Sequence, residues 1–230
     1  MSRRRPSASS AQQPVQRCRQ CAVCCRKGGP AFHGQDRHLI DSGQIPSEHL
    51  FTIRKGEPAH DNVTGTLAPA PQDIIKIKGR GGDWTCTYLD EAANRCTIYD
   101  FRPMECRLLK CWAPEALQAA YDKNRLTRRD LLASHDALWK LIVDHDVRCD
   151  YPILQDLVKR LQSDPGDEPA RRRISEMIHF DRQIRRLMSE RGALAPERLD
   201  FLFGRPPTTI LAAMGTRLHQ DADGRWHMPL

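Results

Sequence analysis

The sequence predicts an α+β chain, with a cysteine-rich metal-binding region that contains a short β-hairpin packed with a mainly α-helical C-terminal half. Three observations predict it. Eight of the nine cysteines form two groups, Cys18, Cys21, Cys24, Cys25 and Cys86, Cys96, Cys106, Cys111, separated by 60 cysteine-free residues. Strand-like alternation clusters near the second group, and beyond residue 112 apolar residues recur at helical spacing. We divide the chain into a disordered tail (1–16), a cysteine-cluster region (17–112), a helical region (113–204) and a C-terminal segment (205–230).

The opening MSRRRPSASSAQQ carries three arginines but not the apolar stretch of about 7–15 residues that an export signal needs. A cytoplasmic protein is expected, and there cysteines stay reduced, so a dense pattern points to metal or redox chemistry rather than disulfides. The chain has 36 Lys+Arg against 29 Asp+Glu, a net charge of +7. Seven basic residues and no acid fall within the first thirty, so the rest of the chain balances. Metal-bound thiolates would offset that local excess, so the basic character argues little for nucleic acid. No apolar run approaches the roughly 20 residues of a membrane span.

The first group reads C-x-x-C-x-x-C-C. In C-x-x-C a tight turn aims two sulfurs at one ion. Two such turns in series, Cys18–Cys21–Cys24, repeat the three-ligand run of bacterial ferredoxins. Zinc sites use C-x-x-C in pairs. Adjacent Cys24 and Cys25 are expected to point apart and to serve different ions, or one to ligate and one to pack. The fourth ligand of the first site should then come from Cys86–Cys111, so eight thiols fill two four-thiolate sites or one multinuclear cluster.

The second group lies on recognisable elements. Ile75-Lys76-Ile77-Lys78 alternates like a strand, and Gly79-Arg80-Gly81-Gly82 breaks it. Trp84–Leu89 and Arg95–Tyr99 read as a hairpin around Asp90–Asn94, with Tyr88 opposite Cys96 and Cys86 diagonal to it. Pro103 opens a helical turn that leaves Cys106 near a helix N-terminus, where the dipole favours thiolate. A break is expected before Cys111.

These motifs resemble a known family. C18-x-x-C21-x-x-C24-C25, C86-T-Y-L, C96-T-I-Y-D-F-R102-P103-x-x-C106-R107 and C111 are similar to the YkgJ-like cysteine-cluster family, over roughly residues 17–112. That family is described as zinc- or iron-chelating, or as containing an iron–sulfur cluster. The resemblance implies metal ligation by Cys18, Cys21, Cys24, Cys25, Cys86, Cys96, Cys106 and Cys111. Flagellin lysine N-methylases are similar in the same cysteines, which implies one enzymatic relative. Arg17, Arg19, Arg26, Lys27, Arg95, Arg102, Arg107 and Lys110 surround the thiols in sequence and can compensate thiolate charge. Arg102 is the best candidate for a buried partner.

Downstream, Pro114 starts a helical segment running to about Asn124. Thr127, with Asp130 three residues on, caps a segment bearing Leu131, Leu138, Leu141 and Ile142. Pro152 opens another with Leu154, Leu157, Val158 and Leu161. After a Ser163–Pro169 loop comes a long helix with Ile174, Met177, Ile178, Ile184, Leu187 and Met188, ended by Gly192. Pro196–Phe203 makes a short helix, and Thr216–Met228 a hairpin around Asp223-Gly224. These stripes serve as core, or as docking surface for a protein partner.

Cys149 stands between helices and reads as packing. His33 and His38 are substitute ligands in principle. Arg171–Arg173 and Arg185-Arg186 read as solvated faces. Neither glycine run has the strand–loop–helix context of a phosphate loop, and no catalytic triad or methyl-donor motif is recognised. The expected function is therefore metal binding in electron transfer, sensing or metal handling. The triple cysteine run favours an iron–sulfur cluster over zinc. A methylase-like enzyme and a zinc-stabilised interaction module are the alternatives.

Overall fold

A computed structural model describes residues 18–61, 63–80, 83–190, 194–216, 218–220 and 226–227. The N-terminal tail, Arg17, Gly81-Gly82, the Gly192 helix stop and the Asp223-Gly224 turn lie outside them.

The elements in chain order are α1 (Val23–Arg26), α2 (Arg37–Asp41), β1 (Leu50–Ile53), β2 (Pro58–His60), β3 (Leu67–Pro69), β4 (Ile74–Ile77), β5 (Leu89–Asp90), β6 (Arg95–Cys96), α3 (Met104–Leu108), α4 (Glu115–Gln118), α5 (Arg128–Leu132), α6 (Asp136–Arg148), α7 (Tyr151–Ser163), α8 (Glu168–Glu190), α9 (Leu199–Phe203), α10 (Pro207–Ala213), β7 (His219–Gln220) and β8 (Trp226–His227). The architecture is α+β, as the sequence predicts, with all strand pairs antiparallel.

The central pair is β1–β4, with Leu50 opposite Ile77 and Ile53 opposite Ile74. Backbone bonds extend it on the far side of β4. Phe32 N–H donates to Ile75 O at 2.9 Å, and Leu126 N–H donates to Phe32 O at 2.9 Å. Gly29 lets the incoming chain approach, since a Cβ there would sit 2.6 Å from Ile77 Cβ. The segment leading away from the first cysteine group is thereby fixed on the central strands.

One apolar core gathers Phe32, Leu50, Ile75, Ile77, Ile142, Leu199, Phe201, Leu202 and Phe203. It draws on both halves of the sequence, and α9 lies directly on β1. Leu131, Leu138 and Leu141 pack against this core as expected. They belong to two helices rather than one, because the chain breaks at Ala133–His135 before α6 begins. A second core joins α7, α8 and α10 through Leu154, Leu157, Ile174, Met177, Ile210 and Leu211.

Helix starts follow the local chemistry. Thr127 and Asp130 form a reciprocal capping box on α5. Asp150 accepts the Ile153 N–H at 2.8 Å and Pro152 occupies the first turn of α7.

Buried charges bind the two halves. Arg128, 1% exposed, donates from Nε to Asp73 Oδ2 at 2.6 Å, from Nη2 to Asp146 Oδ2 at 2.6 Å and from Nη1 to Leu202 O at 2.8 Å. Arg54 pairs with Asp146 at 2.8 Å, and Arg205 Nε donates to Glu57 Oε1 at 2.6 Å. His145 Nε2 stands 2.8 Å from Asp181 Oδ1, and Arg185 bridges Asp181 and Asp200 at 2.9 Å each. Among the described residues no helix is long and apolar enough to cross a membrane.

Candidate metal centre

Cys18 and Cys21 lie on the irregular chain before α1, and both are exposed. Gln20 and Ala22, flanking Cys21, take left-handed φ values of 53° and 56°. Such positions store roughly 1–3 kcal/mol each unless surrounding contacts enforce them. Those contacts come from the hairpin turn. Asn94, itself left-handed with φ 50°, donates from Nδ2 to Gln20 O at 2.8 Å. Arg26 donates from Nη2 to Asn94 Oδ1 and from Nη1 to Cys21 O, both at 3.2 Å. The Cys86 N–H donates to Cys25 O at 2.7 Å. The first cysteine group is thus docked on the β5–β6 hairpin and the strand leading into it.

The hairpin differs from expectation by one residue. Leu89, not Tyr88, faces Cys96, and Asp90 faces Arg95, so the connecting turn is Glu91–Asn94. The Tyr88 hydroxyl is engaged elsewhere, 2.7 Å from His49 Nδ1. Cys86 precedes β5 and bridges to Gly79.

Cys24 and Cys25 do not diverge. Their sulfurs are 3.9 Å apart, one thiol donating to the other. A neighbouring pair on one helical turn can close its sulfurs by rotation about χ1. Electrostatic interactions then link Cys24, Cys25, Cys86, Cys96 and Cys106. The hydrogen bond from Cys25 pulls the Cys24 thiol down to about 6. Cys25, which keeps the shared proton, is pushed up, and burial adds to this. Burial is also the main cause raising Cys86, Cys96 and Cys106. For Cys106 it overrides the helix-terminus effect expected from α3, with thiolate charge on Cys86 and Cys96 adding to the rise. The patch therefore yields one thiolate readily and resists further ones unless positive charge accompanies them.

Arg102 supplies part of that charge. Its guanidinium carbon lies 3.5 Å from the Tyr99 ring centroid, and its Nε is buried without a hydrogen-bond partner. Its charge favours thiolate at Cys24 and Cys96. Arg80 does the same for Cys86 while its Nη2 donates to Thr87 O and Leu89 O at 2.7 and 2.6 Å. Arg80 was not among the compensating residues expected, because it stands inside a glycine run. Arg19, Lys27, Arg95 and Lys110 are exposed.

The chain breaks after Leu108, as expected, and Cys111 is exposed in the turn that follows. His33 is buried with Nδ1 2.7 Å from Lys123 O and Nε2 3.2 Å from Glu105 Oε1, so both nitrogens are occupied. His38 Nδ1 is held 2.9 Å from Gln35 O. Cys149 is fully buried between α6 and α7, its Sγ 3.5 Å from Met177 O and its thiol pushed up to about 12 by burial.

Thiol donors suit a thiophilic cation such as zinc or iron, and the Arg102 guanidinium offsets the charge of thiolates that bind it. Among the described residues no three His, Cys, Asp or Glu side chains already stand as a ligand set. The donor chemistry fits; closing the set requires the sulfurs to draw in. No curated protein and no solved structure matches the chain. Residues 17–129 match the family model CxxCxxCC, described as "Putative zinc- or iron-chelating domain", and that match supports metal binding by this part of the chain.

Proposed function

We propose that the chain is a YkgJ-like cytoplasmic metal-binding protein whose two cysteine groups share their metal. Cys24, Cys25, Cys86, Cys96 and Cys106 would hold it, with Cys18, Cys21 and Cys111 completing the set. The observation that carries the reading is the docking of the first cysteine group on the second across 60 residues, through Cys86 N–H to Cys25 O at 2.7 Å and Asn94 Nδ2 to Gln20 O at 2.8 Å, beside the unpartnered Nε of Arg102. An iron–sulfur cluster is favoured over zinc by the Cys18–Cys21–Cys24 spacing, which matches a ferredoxin ligand run. Such a group supplies one-electron transfer or redox sensing when bound, and the residues of this chain orient the sulfurs and offset their charge. Glu105 and Asp36 hold the segment bearing Cys106, while Arg102 and Arg80 favour thiolates. Metal binding of this kind is also folding energy, because the unfolded chain holds no preformed site for the ion.

Anaerobic purification followed by iron, zinc and acid-labile sulfide determination tests the reading. Iron and sulfide with absorption near roughly 400 nm are expected. Zinc alone, without colour, would replace the cluster by a zinc site, and a protein free of both metals would end the proposal.

A further inference from the structure

Helix α3 has no cap of its own. Pro103 offers no side-chain acceptor, and the Met104 N–H goes instead to Asp36 Oδ1 at 2.8 Å, an acceptor 68 residues earlier. Asp36 is fully buried. Its other oxygen accepts the His33 N–H at 3.2 Å, and Arg107 Nη2 donates to Oδ1 at 3.4 Å. Immediately before Cys106, Glu105 reaches the same segment. Its Oε2 accepts the Ala31 N–H at 2.7 Å, and its Oε1 meets His33 Nε2 at 3.2 Å. His33 Nδ1 faces the Lys123 carbonyl, which only accepts, so Nδ1 carries a hydrogen.

A five-residue helix cannot hold itself, because one turn costs more to nucleate than it returns. The residues on both sides of Cys106, and the helix start, are instead bonded to residues 31–36. That segment is fixed on β4 and continues directly from the first cysteine group. The clamp therefore sets the distance between Cys106 and the upstream thiols.

We propose that Asp36 and Glu105, with His33 holding Glu105, are positioning residues that present the Cys106 thiol to the metal shared with Cys24 and Cys25. The inference rests on the metal-binding reading above. Its test uses the full chain, reduced and metal-free, titrated anaerobically with cobalt(II), whose charge-transfer absorption reports bound thiolates.

Glu105→Ala should weaken cobalt binding about 10–100-fold. At saturation its charge-transfer band should fall to that of Cys106→Ser. Glu105→Gln should restore the band, since the amide can accept from Ala31 and donate to His33 Nε2. Ile210→Ala, a truncation in the α7–α8–α10 core, should leave the band intact. A Glu105→Ala band equal to wild type while Cys106→Ser is reduced, or an equal loss in Ile210→Ala, would overturn the proposal. Alkylation mapped by mass spectrometry in the metal-free chain gives an independent reading. Cys106 should react roughly tenfold faster in Glu105→Ala, the size expected for losing a charge-assisted clamp. If wild type takes up no cobalt, the metal reading fails and this rate decides the clamp: an unchanged rate sinks it too.

Discussion

The thiol patch and the Arg128 network are both clusters of ionisable groups, yet they are completed in different ways. Around Arg128, opposite charges face one another: Asp73 and Asp146 take the guanidinium, and Asp181 is held by His145 and Arg185. The atoms left without hydrogen bonds there, Arg54 Nε and Nη1 and His145 Nδ1, belong to side chains already paired with Asp146 or Asp181. In the patch, Cys24 and Cys25 meet at 3.9 Å, thiols rather than opposite charges neighbour one another, and burial opposes ionisation of Cys25, Cys86, Cys96 and Cys106. The first cluster is closed by the protein itself. The second gathers thiols with only Arg102 and Arg80 to favour their ionisation, which is why its chemistry points to a cation and the other's does not.

The largest expected effect is on the closed cluster. Arg128→Ala would remove the guanidinium that Asp73 pairs with, leave Asp146 with Arg54 alone, and should cost about 3 kcal/mol in urea unfolding. A loss under 1 kcal/mol would mean the network is not self-completed. The same cluster fixes the acid response. Burial alone would raise Asp146 and Asp181, but hydrogen bonds from His145 and the charges of Arg128, Arg54 and Arg185 hold both below the usual carboxylate value. A depressed folded value gives stability that is present above the unfolded pKa and lost as pH falls through the folded one. The metal-free chain should therefore lose stability below about pH 4, and Asp181→Asn should flatten that loss. An unaltered acid limb in Asp181→Asn would contradict the assignment.

Arg102 sharpens the contrast from the other side. Arg102→Gln should lower metal affinity roughly tenfold, as loss of a residue tuning the bound thiolates does. Arg102→Lys should recover part of it, and metal-free stability should change little in either. A loss of stability equal to the loss of affinity would make Arg102 structural. Smallest of all should be Cys149→Ser. Its sulfur is 3.5 Å from Met177 O inside the helical packing. Metal content should be unchanged, at a cost of about 1 kcal/mol.

Local chemistry made much of this legible. The Thr127–Asp130 box, Asp150 with Pro152, and the apolar spacing of α7 and α8 are contained within single turns, so the sequence displays them. β1 escaped notice because Leu50, Phe51 and Thr52 are all buried and show no alternation. α10 was hidden behind Pro206-Pro207 and its short length. The hairpin register differs from the expected one because left-handed Asn94 closes a four-residue turn rather than a five-residue one. The cysteine spacing marked the thiols, whereas Arg80, Asp36 and Glu105 act on them only through contacts made in three dimensions. Arg128 likewise has its carboxylate partners 55 and 18 residues away.

The claim that two distant cysteine groups build one metal centre is tested most directly by removing them separately. Two variants of the full chain are needed, one with Cys18, Cys21, Cys24 and Cys25 changed to Ser, the other with Cys86, Cys96, Cys106 and Cys111 changed to Ser. Metal bound per chain, measured after anaerobic purification, should fall to background in both, because neither group can complete a site alone. Half the wild-type metal retained by either variant would show two independent sites and contradict the shared centre.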